Sequence, residues 1–186
     1  LLMTPLNIIK TAIKSGINLL AITDHNSAEN MEVIFKLANR EGVHILAGME
    51  VETREEVHLI ALFDNIKQVK ALQEIVYSHL PPLENDEEKF GPQLLTDEED
   101  NFIDRISRLL AISTNLSLEQ VVEKVNNLGG LCYPAHVDRQ RNSVLTQLGF
   151  IPPDIDFAAL EVSNRYFEKG ESNSLLEGYP LIPAAD

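Results

Sequence analysis

Short apolar runs alternate with amphipathic stretches along most of this chain. Runs that read as buried strands occupy residues 18–23, 43–47, 57–63, 131–134, 157–162 and 179–185. Helical periodicity covers residues 4–16, 27–40, 65–78 and 117–129. This alternation predicts an α/β fold, with a largely parallel sheet or barrel and helical crossovers. One pair is expected to differ, because the turn-like residues 54–56 would return the third run as a hairpin.

Several of the predicted helices carry capping residues at their ends. Thr4 followed by Pro5 predicts the start of the first helix, and Ser27 is the expected N-cap of the second. Ser117 and Gln120 have the spacing of a capping box, which places a further helix start there. Glycines follow several of these stretches and are expected to end them.

Composition narrows the class of protein. The 186 residues contain 15 Lys and Arg against 29 Asp and Glu, and this net charge of −14 argues against electrostatic binding of duplex DNA. No apolar run approaches the roughly 18 residues of a membrane span, so no membrane partner is predicted. Cys132 is the only cysteine, which excludes an internal disulfide framework and a four-cysteine zinc site. A reducing cytoplasm is therefore the expected location.

The segment from residue 81 to residue 116 interrupts the strand–helix alternation. Nine acidic residues and one lysine lie between Glu84 and Asp104, a net charge of −8. Charge runs are usually solvated, so an acidic insertion or subdomain is predicted, with a lid or partner surface as the alternative. The predicted division is residues 1–80, the insertion 81–116, and residues 117–186.

Candidate chemistry lies at the ends of the predicted strands. Reactive groups of parallel α/β architectures gather at the carboxyl ends of the strands. The residues found there are His25, Glu50, His136 and Asp186, and the hairpin would return His58 to the same edge. A single histidine in such a place often only packs or caps. The combined set of nitrogen and oxygen donors favours Zn, Mn or Fe in a hydrolytic site.

Residues beside this set have predicted supporting roles. Asp24 is expected to orient a ligand histidine through a hydrogen bond, with capping of the next helix as the alternative. Arg139 and Arg141 follow His136 closely and could clamp a phosphate, or lie in an exposed loop. Asn164, near the end of its strand, is a candidate substrate contact.

Three further residues are predicted to lie outside the chemistry. His44 falls inside a strand and is expected to be structural, and Cys132 lies in an apolar run as a small core residue. His79 precedes a proline pair and is expected at the surface or in a loop. A nucleophilic pair of Cys132 with His136 is the alternative, but a strand and a proline separate the two unfavourably.

Four sequence elements, in order, resemble the PHP (polymerase and histidinol phosphatase) family over essentially the whole chain. They are Ala-Ile-Thr-Asp-His at 21–25, Gly-Met-Glu at 48–50 with His-Leu at 58–59, Pro-Ala-His at 134–136, and the terminal Asp186. The resemblance implies a distorted (β/α)7 TIM-like barrel with two or three metal ions. Carried over by position, the residues that look like metal ligands are His25, Glu50, His58, His136 and Asp186.

The resemblance also implies a barrel that is incomplete at both ends of this chain. The family's first His-x-His motif would precede Leu1. The histidine of the final Asp-x-His would lie two residues beyond Asp186. Three expected ligands therefore fall outside this sequence.

The implied activity is metal-dependent hydrolysis of a phosphate ester, in which a hydroxide held by the metals attacks phosphorus in line. The expected substrate is a small phosphorylated molecule, with nucleotides or short RNA suggested by the similar stand-alone phosphoesterases. Glu50 and His136 are the expected catalytic residues together with Arg139, which would hold a non-reacting phosphate oxygen. Two alternatives remain: a non-catalytic scaffold or binding module, and hydrolysis of a C–N or carboxylic ester bond. The native metal and the oligomeric state stay open.

Overall fold

The computed structural model describes residues 3–168, 170 and 173–184. Its first half contains α1 (Pro5–Lys14), β1 (Leu19–Ile22), α2 (Met31–Glu41), β2 (His44–Glu52), β3 (His58–Phe63) and α3 (Ile66–His79). The middle contains α4 (Glu87–Phe90), β4 (Leu94–Thr96) and β5 (Phe102–Arg105). The remainder contains α5 (Leu118–Asn127), β6 (Leu131–Pro134), α6 (Val144–Leu148), β7 (Leu160–Val162), α7 (Asn164–Glu168) and β8 (Leu181–Pro183). Every predicted apolar run forms a strand, so a mixed α/β fold is confirmed.

Four strands form the main sheet, in the order β1-β2-β3-β6. β1 and β2 are parallel, whereas β3 is antiparallel to both β2 and β6. The predicted hairpin of β2 and β3 is therefore confirmed, while the prediction of a largely parallel sheet is wrong for the pairing of β3 with β6. The cause is a tight turn in which the Thr53 amide donates to the Val57 carbonyl (2.9 Å), so that β3 returns along β2.

The direction of the strands determines where their ends meet. β1, β2 and β6 point the same way, and only β3 runs against them. The carboxyl ends of three strands and the beginning of β3 therefore lie along one edge of the main sheet. A smaller parallel pair, β7 and β8, continues from β6 through the Val137 amide, which donates to the Glu161 carbonyl (2.8 Å). The described strands thus form separate sheets, and the seven-stranded barrel stays a prediction.

The core is built from the apolar faces of the helices that pack on the main sheet. Helices α2, α3 and α5 contact its strands. Their fully or almost fully buried residues include Ile34, Leu72, Val76, Val121 and Val125. Burying each such side chain stabilises the fold by roughly 1.5–3 kcal/mol. In the described part of the chain, no helix is both long and apolar enough to cross a membrane.

Gly48, in the middle of β2, is required by close approach of the neighbouring strands. A Cβ atom at this position would lie 2.8 Å from the Ile22 carbonyl oxygen and 2.9 Å from that of Ala61. These atoms belong to backbone and cannot rotate away. Any side chain at residue 48 would therefore push β1 or β3 out of the sheet, directly beside the predicted site.

The helix caps were predicted with mixed success. The Ser117–Gln120 capping box is confirmed at the start of α5. The assignment of Ser27 as an N-cap is wrong, because α2 begins at Met31 after Asn30. Thr4 does precede α1, but its hydroxyl donates to Asp100 Oδ2 (2.6 Å) and caps no helix amide.

The acidic segment, residues 81–116, folds onto the first half of the chain. Its hairpin of β4 and β5 is reached by Asn30, whose Nδ2 donates to the Leu94 carbonyl (3.1 Å). Arg40 of α2 pairs with Glu98 at 2.7 Å. These contacts attach the segment to α1 and α2, while its boundaries as a separate unit stay a prediction.

Candidate metal centre

Three side chains meet at the edge of the main sheet where the strand ends converge. His25 follows β1, Glu50 lies near the end of β2, and His58 begins β3. Glu50 joins the other two, because its Oε2 lies 3.5 Å from Nδ1 of His25 and its Oε1 lies 2.9 Å from Nδ1 of His58. One donor atom from each residue lies within 4.8 Å of the others. This spacing allows the three residues to hold one metal ion.

His136 extends this cluster from the end of β6. Its Nε2 lies 3.4 Å from Oε1 of Glu50 and 3.2 Å from Nδ1 of His58. Its backbone φ is +32°, an uncommon conformation for a residue other than glycine and one that recurs at functional sites. Its other ring nitrogen, Nδ1, is buried and has no hydrogen-bond partner among the described residues. The nitrogen that faces the cluster, and so the one that could bind a metal ion there, is Nε2.

The carboxylates and imidazoles of the cluster stabilise each other's charged forms. Burial alone would raise the pKa of Glu50, but hydrogen bonds from His136 and His58 outweigh it and hold that pKa well below its usual value. Burial alone would lower the pKa of His58, but a hydrogen bond to Glu50 and the nearby carboxylate of Glu52 raise that pKa to about 9. The metal-free protein therefore sets an ionised carboxylate against a protonated imidazole. A divalent cation can take the place of that proton.

Glu52 also belongs to the cluster, although no motif in the sequence predicted this role. It lies directly opposite His58 in the β2–β3 ladder, and its Oε2 is 3.6 Å from Nε2 of His58. Burial would raise the pKa of Glu52, but the nearby imidazole of His58 and a hydrogen bond from Ser113 lower it. The available signal was the period of two along a strand, which places Glu50 and Glu52 on the same face.

Asn26 is a second residue whose role no sequence motif predicted. Its hydrogen bonds connect the elements that form the site. Asn26 is completely buried and has a left-handed backbone, with φ of +50°. Its amide donates to the Glu50 carbonyl (2.8 Å), and its Oδ1 accepts from the Glu52 amide (3.2 Å). Its Nδ2 donates to the carbonyls of Leu110 and Ile112, both at 2.9 Å. Asn26 thus connects the His25 turn with β2 and with the acidic segment.

A cleft of about 820 Å³ opens beside His58 and His136. Its other lining residues are Asp138, Arg139, Gln140, Arg141, Asn142, Ser163, Arg165 and Tyr166. Three arginines therefore gather next to the cluster in a protein of net charge −14. Guanidinium groups bind phosphate oxygens in bidentate fashion. Arg165 is an addition to the predicted pair, and no motif in the sequence indicated it.

The other predicted contact residues take different positions around the cleft. Asn164 begins α7 and is exposed, but the neighbouring Ser163 and Arg165 line the cleft in its place. The turn after His136 is tied to β7 by Asp138, whose carboxylate accepts from the Ser163 amide (2.8 Å). The role of Asn164 as a substrate contact stays a prediction.

Asp24 borders a smaller cavity of about 370 Å³ that Glu50 and His136 also line. Its backbone carbonyl accepts from the Glu50 amide (3.1 Å). Within the described part of the chain, no histidine donates to its carboxylate, so its orienting role stays a prediction. The protein atoms around Asp24 displace water from its carboxyl group, and this desolvation raises its pKa. The nearby His25 lowers the same pKa and so offsets part of the rise. Asp186 lies outside the described residues.

The residues predicted to lie outside the chemistry are found away from the cluster or deep in the core. His44 is exposed at the start of β2, and His79 ends α3 with its Nδ1 2.8 Å from the Ile75 carbonyl oxygen. Burial raises the pKa of the Cys132 thiol to about 12, which makes it a poor nucleophile.

Most of this chain matches a known protein family. A family model for the PHP domain matches residues 2–146, well over half of the chain, and this range includes all four cluster residues named at the strand ends. The chain belongs to the PHP domain family. This PHP protein is 28% identical over 171 residues to an uncharacterized protein of Methanocaldococcus jannaschii, an alignment that covers 92% of the chain and 72% of the relative.

Two solved structures show the same fold. A candidate metal-dependent phosphoesterase of Bifidobacterium adolescentis matches with a TM-score of 0.59 and 16% identity, over 98% of this chain and 82% of its own. The lesion-specific endonuclease Q of Pyrococcus furiosus matches with a TM-score of 0.59 and 22% identity, over 87% of this chain. This PHP protein matches only 37% of the endonuclease Q chain.

The structures of endonuclease Q are relevant to the expectation that the present chain does not bind duplex DNA. A further structure of endonuclease Q, with a TM-score of 0.57 and 21% identity, holds a 27-mer duplex with an abasic lesion at the active site. A protein of this fold therefore binds duplex DNA. The exclusion of duplex DNA for the present chain is a prediction from net charge alone, and the comparison does not support it.

Proposed function

We propose that this protein hydrolyses a phosphate ester with the help of divalent metal ions. The observation that carries the proposal is the adjacency of the His/Glu cluster and the arginine-lined cleft, which share His58 and His136. A cation site beside several guanidinium groups suits an anionic phosphate better than a neutral ester or amide. The net charge of −14 does not oppose this, because bound metal ions dominate the local field.

The donor set fits Mn, Zn or Fe, and we assign it two or three ions. His25, Glu50, His58 and His136 would hold them, with Asp186 as a further ligand. When bound, such ions activate water and stabilise charge on the phosphoryl oxygens. Glu50 is suited to bridge two sites, since its Oε2 faces His25 while its Oε1 faces His58 and His136.

The chain's own residues would bind and orient the substrate. Arg139 holds a non-reacting phosphate oxygen, with Arg141 and Arg165 along the same cleft. Asp24 orients the ligand set, and Asn164 contacts the part of the substrate beyond the phosphate. A cleft of about 820 Å³ has the size of small-molecule sites, so a nucleotide or the end of a short RNA is the proposed substrate.

We place this site in a (β/α)7 barrel that is formed by residues 1–80 and 117–186, with residues 81–116 inserted. Support comes from the shared direction of β1, β2 and β6, which gathers the cluster at one edge of the sheet. The reactive edge of a barrel of parallel strands lies at the same carboxyl ends.

The test is metal-dependent phosphate release by the full-length protein. The panel runs from a generic phosphomonoester through nucleotides and short RNA to duplex DNA with an abasic site, with Mn²⁺ or Zn²⁺ supplied. We expect release that a chelator abolishes and that His136→Ala eliminates. His44→Ala is the matched control, because this exposed histidine at the start of β2 lies outside the cluster.

Two results would contradict the proposal. One is unchanged release by His136→Ala, which would place the activity elsewhere. The other is no release from any substrate by folded, metal-supplied protein. That outcome would favour the binding-module alternative or hydrolysis of a C–N bond.

A further inference from the structure

Glu52 and Glu50 hold the ring of His58 from its two sides. Glu50 Oε1 lies 2.9 Å from Nδ1 of His58, and Glu52 Oε2 lies 3.6 Å from Nε2. The side chains of His58 and Glu52 are only 13% and 15% exposed, so solvent screens this contact weakly. Each ring nitrogen therefore has its own carboxylate.

The carboxylate of Glu52 is itself held in place from the acidic segment. The Ser113 hydroxyl donates to Glu52 Oε1 at 2.7 Å, and Asn142 Nδ2 approaches the same oxygen at 3.5 Å. These contacts engage Oε1 and leave Oε2 directed at His58. A carboxylate fixed in this way can select one orientation of its partner.

The backbone of Glu52 is held as firmly as its side chain. Its carbonyl accepts from both the amide and the hydroxyl of Thr114, each at 2.9 Å. Its amide donates to Oδ1 of the buried Asn26 at 3.2 Å. Ser113 and Thr114 thus hydrogen-bond to Glu52 from the acidic segment, whose composition predicts a solvated insertion.

A histidine that binds a metal through one ring nitrogen usually donates its other N–H to a carboxylate, which determines the tautomer and raises the basicity of the ligand. We propose that Glu52 is a positioning residue that keeps the proton of His58 on Nε2 and so presents Nδ1, beside Glu50, to the metal. The 3.6 Å separation is longer than a hydrogen bond, so the proposal requires the two atoms to approach each other by a few tenths of an ångström when the site holds a metal ion. This inference rests on the metal site of the proposed function.

The test is Zn²⁺ affinity, measured by competition with a chromophoric chelator at one pH. Glu52→Gln is expected to weaken Zn²⁺ binding by roughly 10- to 100-fold. Ser113→Ala, which changes no charge, is expected to weaken it less but in the same direction. Glu56→Gln is the matched control. Glu56 is an exposed glutamate of the same hairpin, and this substitution also removes one negative charge. The Zn²⁺ affinity of the Glu56→Gln variant should differ from that of the wild type by less than about twofold.

A second readout separates positioning from a merely structural role. Long-range ¹H–¹⁵N spectra of the Zn²⁺-bound wild type should show His58 protonated at Nε2. In Glu52→Gln this signature should weaken, and Glu52→Asp should recover it in part. If Glu52→Gln does not fold, Ser113→Ala provides both readouts, and loss of affinity and of the tautomer signature in that variant supports the proposal.

The outcomes distinguish failure of the positioning role of Glu52 from failure of the proposed metal site. Wild-type affinity and an unchanged His58 tautomer in both Glu52→Gln and Ser113→Ala would overturn the positioning role while leaving the metal site standing. If wild type and Glu50→Gln bind Zn²⁺ equally weakly, the metal site of the proposed function fails, and the role of Glu52 fails with it.

Discussion

Two regions of this protein hold carboxylates in different surroundings. At the edge of the main sheet, the side chains of Glu50 and Glu52 are only 16% and 15% exposed, and both face His58. Between residues 84 and 104, nine acids produce a net charge of −8. Yet an ion pair there, such as that of Glu87 with Arg105, lies at the surface, with 43% and 56% of the side chains exposed.

The difference shows that the density of acidic residues along a chain does not locate its chemistry. Water screens charges at the surface, so exposed pairs contribute about 0–1 kcal/mol. Poorly hydrated charges interact more strongly and shift each other's pKa values. Two partly buried glutamates on one strand therefore matter more for the site than the whole acidic run. The site receives its hydrogen-bond donors and carbonyls from residues 110–114, which follow that run.

The largest expected effect is that of Glu50→Gln on the metal-free protein. The substitution leaves the buried His58 and His136 without their carboxylate, so the free energy of unfolding should fall on the order of 3 kcal/mol. Glu98→Gln is the matched change in the acidic segment. Its partner, Arg40 of α2, is 54% exposed, so this substitution should lower the free energy of unfolding by less than about 1 kcal/mol. Urea unfolding at pH 6 measures both, and equal losses would remove the distinction between the two regions.

Asn26→Ala should rank second. It removes the donor to the carbonyls of Leu110 and Ile112 and the acceptor for the Glu52 amide, at a position that is completely buried. The Leu110 carbonyl still accepts from the Ile112 amide at 2.9 Å. We expect a loss of about 2 kcal/mol and weaker Zn²⁺ binding. Asn101→Ala serves as the control, because this exposed side chain donates to Asp97 within the acidic segment (2.9 Å) and lies away from the main sheet's edge. A loss in Asn101→Ala as large as that in Asn26→Ala would contradict the assignment of Asn26 as a hub.

The stability of the metal-free protein should depend on pH through the same cluster. The pKa of His58 rises from 6.5 to about 9 on folding, so its contribution is complete below pH 6.5 and is lost as the pH rises through 9. The pKa of Glu50 is lowered, so its contribution is present above pH 4.5 and is lost in acid. We expect a decrease on the order of 1 to 2 kcal/mol between pH 6.5 and 9, since one pKa unit corresponds to about 1.4 kcal/mol and solvent screens part of it.

His58→Gln tests the origin of this pH dependence. The variant should be less stable at pH 6 but should lose little further stability toward pH 9. His44→Gln, which changes an exposed histidine, should follow the wild-type profile. A wild-type alkaline decrease that persists in His58→Gln would show that another group causes it.

The smallest expected effect is that of Arg105→Gln. The guanidinium of Arg105 contacts both oxygens of Glu87, at 2.8 and 2.9 Å, but both side chains are exposed. Its removal should change the free energy of unfolding by less than about 1 kcal/mol, and about 1 M salt should erase the difference. A large effect that does not depend on salt would show that the β4–β5 hairpin is stabilised as strongly as the main sheet.

Much of the architecture could be predicted from local patterns. Apolar runs marked the strands of the main sheet and the β7–β8 pair, and the Ser117–Gln120 spacing marked the start of α5. The resemblance to the PHP family agrees with the family match over residues 2–146. These features depend on residues that are close in sequence, where periodicity and capping chemistry act directly.

Other features could not be predicted, because they depend on contacts between distant parts of the chain. The role of Asn26 depends on carbonyls more than 80 residues away, at Leu110 and Ile112. Ser113 reaches Glu52 from the acidic segment, which composition alone marks as solvated. Arg165 joins Arg139 and Arg141 only because α7 folds toward the turn after β6.

The sequence by itself determined the order of the main-sheet strands, of β7 and β8, and of helices α1, α2, α3 and α5, together with four of the donors at the strand ends. Hydrophobic periodicity is a local property, and His25, Glu50, His58 and His136 each stand at a position that this periodicity marks. The tertiary structure alone decided that β3 also pairs antiparallel with β6, and which polar groups would be shielded from water. Burial and distance between remote residues determine pKa values and hydrogen-bond partners, and these arise only when the chain packs.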